Sequence, residues 1–358
     1  MIIAQKLPGQ RRIKNIYPIL YGIALTLLAS VTLTGCAAHV QNDGGSLPEV
    51  VGSMELKYAD QFSVDYLEDG SALAEIADGR RYLIVPDGAE PTENIPGDIT
   101  VLRQPENIYL ASSSAMDLFG CIGGLDDILA CSTPESGWKL PDIAQAMADE
   151  DILYAGKYSS PDIELLMSEG CDAAIENTMI YHSPKIIEQI ENCGIPVLIE
   201  RSSYESHPLG RLEWVRLYGL ILGQTDEAER LFSEKCALLN DVISQESAGC
   251  TAAFFYISSN GYAVVRKPGD YISKMIGLAG GRYILDADSL KVDENALSTA
   301  NIQFEAFYAM AKDADYLIYN GTIDGGVESL EQLSAKNPLL ADFRAFRNGN
   351  VWCTNANV

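Results

Sequence analysis

The chain has 358 residues, enough for two or three domains with ample core, and a formal net charge of −25 from 25 basic and 50 acidic residues. A surface this acidic repels phosphate backbones and excludes nucleic acid as a partner. Hydrophobic residues at 47% and charged residues at 21% place the chain among globular proteins. The excess acid serves solubility, or keeps a soluble domain from adhering to an anionic membrane beneath it.

The first 35 residues read as a targeting segment. Lys6, Arg11, Arg12 and Lys14 make a basic start, and 16–33 is an apolar run without charge. The run closes on Leu33-Thr34-Gly35-Cys36. That tetrapeptide resembles the lipobox of bacterial lipoproteins. The resemblance implies that Cys36 receives a diacylglycerol and becomes the first residue of a mature protein, lipid-anchored at the extracytoplasmic face of the cell membrane. A run of this length could also just span a bilayer as an uncleaved anchor, but no stop-transfer charge cluster follows it. Residues 36–52 are polar and glycine-rich and read as a flexible tether, with His39 a bystander.

Beyond Cys36 the cysteines show no CxxC and no metal-like spacing, and most sit in apolar runs, where a thiol behaves as a small hydrophobe. Their odd number argues against a disulfide framework. Cys121 with Cys131 is the nearest candidate pair.

Residues 53–203 read as an α/β lobe. Strands are predicted at 62–76, broken by Glu68-Asp69-Gly70, then at 81–86 after Asp78-Gly79, at 99–103 and at 108–111. The last breaks into Ser112-Ser113-Ser114 before a helix at 115–119. Such a break puts hydroxyls and free N–H groups at a sheet's carboxyl edge, where α/β folds bind ligands; a capped helix start is the plainer alternative. Strands at 152–155, 172–175 and 195–199 alternate with helices at 161–169 and 184–192, which suggests a parallel sheet.

Residues 200–211, ERSSYESHPLGR, follow the lobe's last strand and concentrate Glu200, Arg201, Tyr204, Glu205, His207 and Arg211. Glu176, Tyr181 and His182 follow an earlier strand, and Trp138 lies in the loop PESGWKLP. Acids, bases and rings at strand ends suit a polar ligand pocket, because arginine grips paired oxygens and rings stack on planar groups. Other readings compete for the same residues. Arg211 with Glu205 or Glu213 makes a structural ion pair. Glu200 with Glu205 makes a catalytic carboxylate pair of glycosidase type. His182 and His207 make metal or haem ligands. Three histidines and no His-rich loop argue against a zinc or manganese carrier.

Residues 204–248 read as connecting helices. One is predicted at 209–222. The second, 225–244, has Ala228, Leu231, Phe232, Leu238, Leu239, Val242 and Ile243 on one face. Thr225 is its predicted N-cap, and acids crowd its first turn. Roughly 30 Å of rod results, a strut between two α/β lobes.

Residues 249–358 read as the second lobe. Strands are predicted at 252–257 and 262–265, a helix at 272–279, a helix at 303–312, and strands at 314–319 and 351–353. Arg266, Lys267 and Tyr271, ahead of the first of these helices, are candidate anion contacts; a solvated turn is the alternative.

In order, PDIELLMSEG, GCDAAIE and GIPVLIE, followed by a helical backbone and a second α/β lobe, resemble the substrate-binding proteins of iron-siderophore and cobalamin ABC importers. The resemblance runs from about residue 53 to the end and lies in the ordered set more than in any single motif. It implies an α/β fold of two Rossmann-like lobes on one rigid helix, a cleft between them, and little closure on ligand. It implies a monomeric carrier, not an enzyme, that takes an iron chelate to an ABC permease, without cofactor or resident metal. Cobalamin and haem carriers share the fold; a surface glycosidase and a sensor or adhesin are readings from other classes. The family docks on its permease through one glutamate per lobe, which map to Glu164 and Glu305; a solvated carboxylate at a helix start is the alternative for each. The family adds a helix after its last strand, so the resemblance also implies a second lobe cut short at Val358.

Overall fold

Gly70 and Gly79 adopt φ of +84° and +88°, a backbone that residues with a Cβ rarely take. Each turns one strand into the next: β2 (Phe62–Leu67), β3 (Ala72–Ile76) and β4 (Arg81–Val85) form an antiparallel meander. β1 (Val50–Ser53) adds to β2 antiparallel and β5 (Ile99–Arg103) to β4 in parallel, giving the order β1-β2-β3-β4-β5. This is a computed structural model that describes residues 46–244, 247, 249–294, 298–324 and 326–354. They fall within one compact unit, Gly44–Val358. Cys36, the targeting segment and most of the expected tether lie outside the described residues. The tether's last residues are strand β1.

A second, wholly parallel sheet follows. It consists of β6 (Ile108–Leu110), β7 (Ile128–Cys131), β8 (Leu153–Tyr154), β11 (Ala173–Asn177) and β12 (Val197–Glu200), in the order β12-β11-β6-β7-β8. A small hairpin, β9 (Gly156–Lys157) with β10 (Ser160–Pro161), interrupts the chain. The linking helices are α1 (Met116–Cys121), α2 (Pro141–Ala148), α3 (Ile163–Ser168) and α4 (Pro184–Asn192). Both faces are covered, which explains the near-continuous apolar runs of these strands. Ile108, Leu110, Ile175 and Leu198 share one core with Phe62, Val64 and Ile84 of the first sheet. Ala174, Val197 and Ile199 face the other way onto Leu166, Ile187 and Ile190. The Tyr82 hydroxyl donates to Val197 O at 2.9 Å, and Arg80 pairs with Glu191 at 2.9 Å, tying the two sheets together.

Two helices carry the chain onward. α5 (Pro208–Ile221) buries Trp214, Leu217, Tyr218 and Ile221 completely. α6 (Thr225–Ile243) buries Ala228, Leu231 and Phe232 in the same core, whereas Leu238 is 64% exposed. The predicted apolar face is therefore used only in its first half. Gln224, not Thr225, is the N-cap, and no side chain caps this end. Arg230 pairs with Glu227 and Glu234 on the solvent side.

The third sheet comprises β13 (Thr251–Ile257), β14 (Ala263–Arg266), β15 (Arg282–Tyr283), β16 (Thr299–Ile302), β17 (Tyr316–Asn320) and β18 (Val351–Thr354). Its order is β16-β14-β13-β17-β18, with β15 also on β13. Around it lie α7 (Tyr271–Leu278), α8 (Ala287–Leu290), α9 (Phe304–Ala311), α10 (Leu330–Lys336) and α11 (Arg344–Arg347). Phe255, Phe307, Phe343 and Tyr319 fill a separate core, with Phe255 and Phe307 ring centroids 4.7 Å apart. Each such ring stabilises the lobe by about 1.5–3 kcal/mol through burial. The parallel runs β12-β11-β6 and β18-β17-β13 are topological equivalents, so the chain is two α/β lobes joined through α5 and α6. Among the described residues no helix is long and apolar enough to cross a membrane.

Candidate functional site

Because the second sheet is parallel, the loops after β6, β7, β11 and β12 all leave from one edge. They bring together Ser112 to Ser114, Ser132 and Thr133, Asn177 to His182, and Arg201 to Tyr204. The edge is pinned from within. The Ser112 hydroxyl donates to Glu200 at 2.8 Å, and Ser132 and Asn177 both donate to Ala111 O, at 2.9 and 3.2 Å.

Tyr181, Arg201 and Tyr204 form one cluster there. The Arg201 guanidinium lies 4.6 Å from the Tyr204 ring centroid, a cation–π stack. Its Nη1 donates to the Tyr181 hydroxyl at 3.0 Å, and Nε and Nη2 donate to the Gln61 amide oxygen at 3.4 and 3.2 Å. The Tyr181 O–H donates to Asp78 at 2.7 Å. Burial first, and then that hydrogen bond to a carboxylate, raise the Tyr181 pKa, so the phenol keeps its proton. Among the described residues no carboxylate lies within ion-pair distance of Arg201. Gln61 and Asp78, in loops of the first sheet, are absent from the set expected from sequence; Asp78-Gly79 reads there only as a turn.

Arg211, Arg266 and Tyr271 form a second cluster, where the lobes meet. Arg211 of α5 stacks on Tyr271 of α7 at 4.1 Å. Arg266 pairs with Asp270 at 3.4 Å and lies 5.7 Å from the same ring. Arg211 therefore makes no ion pair with Glu205 or Glu213; it is a bridge between lobes. The Lys267 carbonyl accepts from the Ser273 hydroxyl at 2.9 Å and helps fix the start of α7. His207 caps α5: Nδ1 accepts from Leu209 N–H at 3.1 Å, and the ring stacks on Tyr58 at 4.7 Å. Burial, reinforced by Lys274, lowers its pKa and favours the neutral imidazole. His207 lines a cavity of about 370 Å³ shared with Lys274, Tyr283 and Asp286.

Other expected contacts lie elsewhere. Glu176 is fully buried, with both carboxyl oxygens unpartnered, and burial raises its pKa to about 8. It faces the core side of β11, with the unpartnered Tyr109 hydroxyl, and not the open edge. Glu205 is also buried and accepts from Asp60 N–H, Gln61 N–H and Trp214 Nε1 at 2.9, 3.1 and 2.8 Å. Its pKa is raised by burial against the pull of those donors. Glu200 accepts from Ser112, Ser202 N–H and Tyr218. Both carboxyls of the glycosidase reading are thus consumed by the protein itself, and neither can flank a glycosidic bond. Trp138 is half-buried and spends its N–H on Thr133 O at 3.1 Å. His182 is exposed. Cys131 is buried and Cys121 exposed, and they are not joined. Among the described residues no cluster of metal-ligating side chains occurs.

Glu164 and Glu305 are exposed, each the second residue of its helix, α3 and α9. Those helices precede the equivalent strands β11 and β17.

A family model described as periplasmic binding protein matches residues 108–358. An uncharacterized lipoprotein of Methanocaldococcus jannaschii is 23% identical over 368 residues, covering 92% of this chain and 85% of that one. The petrobactin-binding protein of Bacillus subtilis is similar with a TM-score of 0.58 at 15% identity, covering 79% of this chain and 89% of its own. The periplasmic heme binding protein of Vibrio cholerae gives 0.57 at 16%, covering 70% and 90%. At such identities the likeness to the two structures establishes the fold.

Proposed function

The chain belongs to the periplasmic binding protein family, whose members bind solutes and do not transform them, and on that premise we propose that it captures an anionic ferric chelate of siderophore type and delivers it to an ABC permease. One observation carries the choice of ligand charge. In a chain of net charge −25, Arg201 stands at the open edge of the parallel sheet, stacked on Tyr204 and held by neutral acceptors alone. An arginine so placed attracts paired anionic oxygens. The fold shared with petrobactin- and heme-binding proteins supports a chelate of that size. In this reading Tyr181, Arg201 and Tyr204 contact ligand from the first lobe, Arg266, Lys267 and Tyr271 from the second, and Arg211 from the connecting helix α5 between them. Glu164 and Glu305 dock on the permease, and a lipid on Cys36 holds the protein at the extracytoplasmic face.

Calorimetric titration with ferric citrate, a ferric tris-catecholate, haem and cobalamin tests it. Binding of the anionic ferric chelates, lost in Arg201→Ala, is the expected result. Binding of cobalamin alone would overturn it, and selective binding of haem would reassign the ligand.

A further inference from the structure

The sheet β1–β5 lies outside the residues matched by the family, yet one of its loops contacts Arg201 and another contacts Tyr181, to which Arg201 donates. The first is residues 57–61. Its five successive N–H groups are taken by two buried carboxyls: Lys57, Tyr58 and Ala59 donate to Glu213, and Asp60 and Gln61 to Glu205, all within 2.8–3.1 Å. The backbone of Gln61 is thereby fixed to the connecting helix and its approach. Its side chain is oriented as well. Nε2 donates to Asp60 at 2.5 Å, which leaves Oε1 for Arg201. The second is the turn at Asp78. By accepting the Tyr181 O–H, Asp78 leaves that hydroxyl only lone pairs to offer Arg201.

The guanidinium is held on two edges and one face. Of its five N–H groups, Nε, one on Nη1 and one on Nη2 are used. One N–H remains on each terminal nitrogen, available to the oxygens of a carboxylate, catecholate or phosphate. Both contacting acceptors are uncharged. Arg80, Arg81, Arg216, Arg230 and Arg266, by contrast, are neutralised by carboxylates.

We infer that Gln61 and Asp78 are positioning residues, and that the N-terminal sheet is a working part of the ligand site, presenting a pre-aimed and uncompensated arginine to a ligand with paired anionic oxygens. The ligand half of this statement rests on the function proposed above; the positioning half does not.

Two measurements on the full chain separate the halves. In ¹⁵N-arginine-labelled protein without ligand, the Arg201 Nε–H resonance, identified by its loss in Arg201→Lys, is slow to exchange with water. It broadens or exchanges out in Gln61→Ala while the melting temperature holds. An unchanged resonance in Gln61→Ala overturns the positioning role whatever the protein binds. In calorimetry, Gln61→Ala weakens ferric citrate about tenfold, the worth of a hydrogen bond to a charged group. Gln61→Glu, which restores the contact but cancels the charge, weakens it further. Neither alters binding of a neutral ferric tris-hydroxamate, and Gln61→Ala adds nothing in the Arg201→Lys background. Equal loss of both chelates, or additivity in that background, would refute the ligand half.

Discussion

Glu213, in the middle of α5, accepts the backbone N–H of Tyr58 at 2.8 Å, across 155 residues of sequence. The same carboxyl also accepts from Lys57 and Ala59 and is completely buried. A buried acceptor with several donors is worth most when it is removed, because each donor is then left desolvated and unpaired. Glu213→Gln replaces one acceptor oxygen with a donor facing N–H groups. It should lower stability by about 3 kcal/mol in urea unfolding and make residues 50–103 the first cut by limited proteolysis. Wild-type stability would show that water replaces the carboxyl at little cost.

Glu176 predicts a pH dependence. Burial raises its folded pKa from the ordinary 4.5 to about 8. The folded state therefore holds a proton that the unfolded state releases. The stability it contributes is fully present below about pH 4.5 and is lost as pH rises to about 8. The span corresponds to at most about 5 kcal/mol. Glu176→Gln should remove this slope, so that mutant and wild type diverge most in melting temperature above pH 8. Parallel curves from pH 5 to 9 would refute it.

Gly219 is where α5 and α6 touch. A Cβ there would fall 2.4 Å from the Ala228 Cβ and 2.9 Å from Gln224 O. Gly219→Ala should cost about 1–3 kcal/mol as overpacking, despite alanine's better helix propensity. Ala228→Gly in the same chain should recover part of the loss, which the urea midpoint of the double variant reads directly.

Glu164→Lys and Glu305→Lys should leave the affinity for ferric citrate unchanged and reduce uptake through a reconstituted permease by tenfold or more, about the effect of reversing a docking charge. Full uptake by the double variant would remove the docking role from both.

Local pattern made much of the fold legible. β5 and α4 fall where periodicity and turn residues put them, at Ile99–Arg103 and Pro184–Asn192. β16 escaped because Thr299–Ile302 is polar and only half-buried, with no alternation to read. The site was less legible. Glu176 and Asn177 are neighbours on one strand end and so point to opposite faces; nothing local says which face meets solvent. Glu205 sits in a run rich in ligand-like residues, but its donors, Asp60 and Gln61, are about 145 residues away. The partners that define Arg201 are as remote, since Gln61 lies 140 residues upstream. Burial and long-range pairing decide such roles, and neither has a local signature.

Ala228, Leu231 and Phe232 of α6 share their core with Trp214 of α5 and Phe62 of β2, while Phe255 and Phe307 belong to a different one. The linking helices are thus welded to one half of the molecule and merely lean on the other through Arg211 and Tyr271. Removing either member of that stack should therefore loosen the seam between the halves while leaving both apolar cores intact.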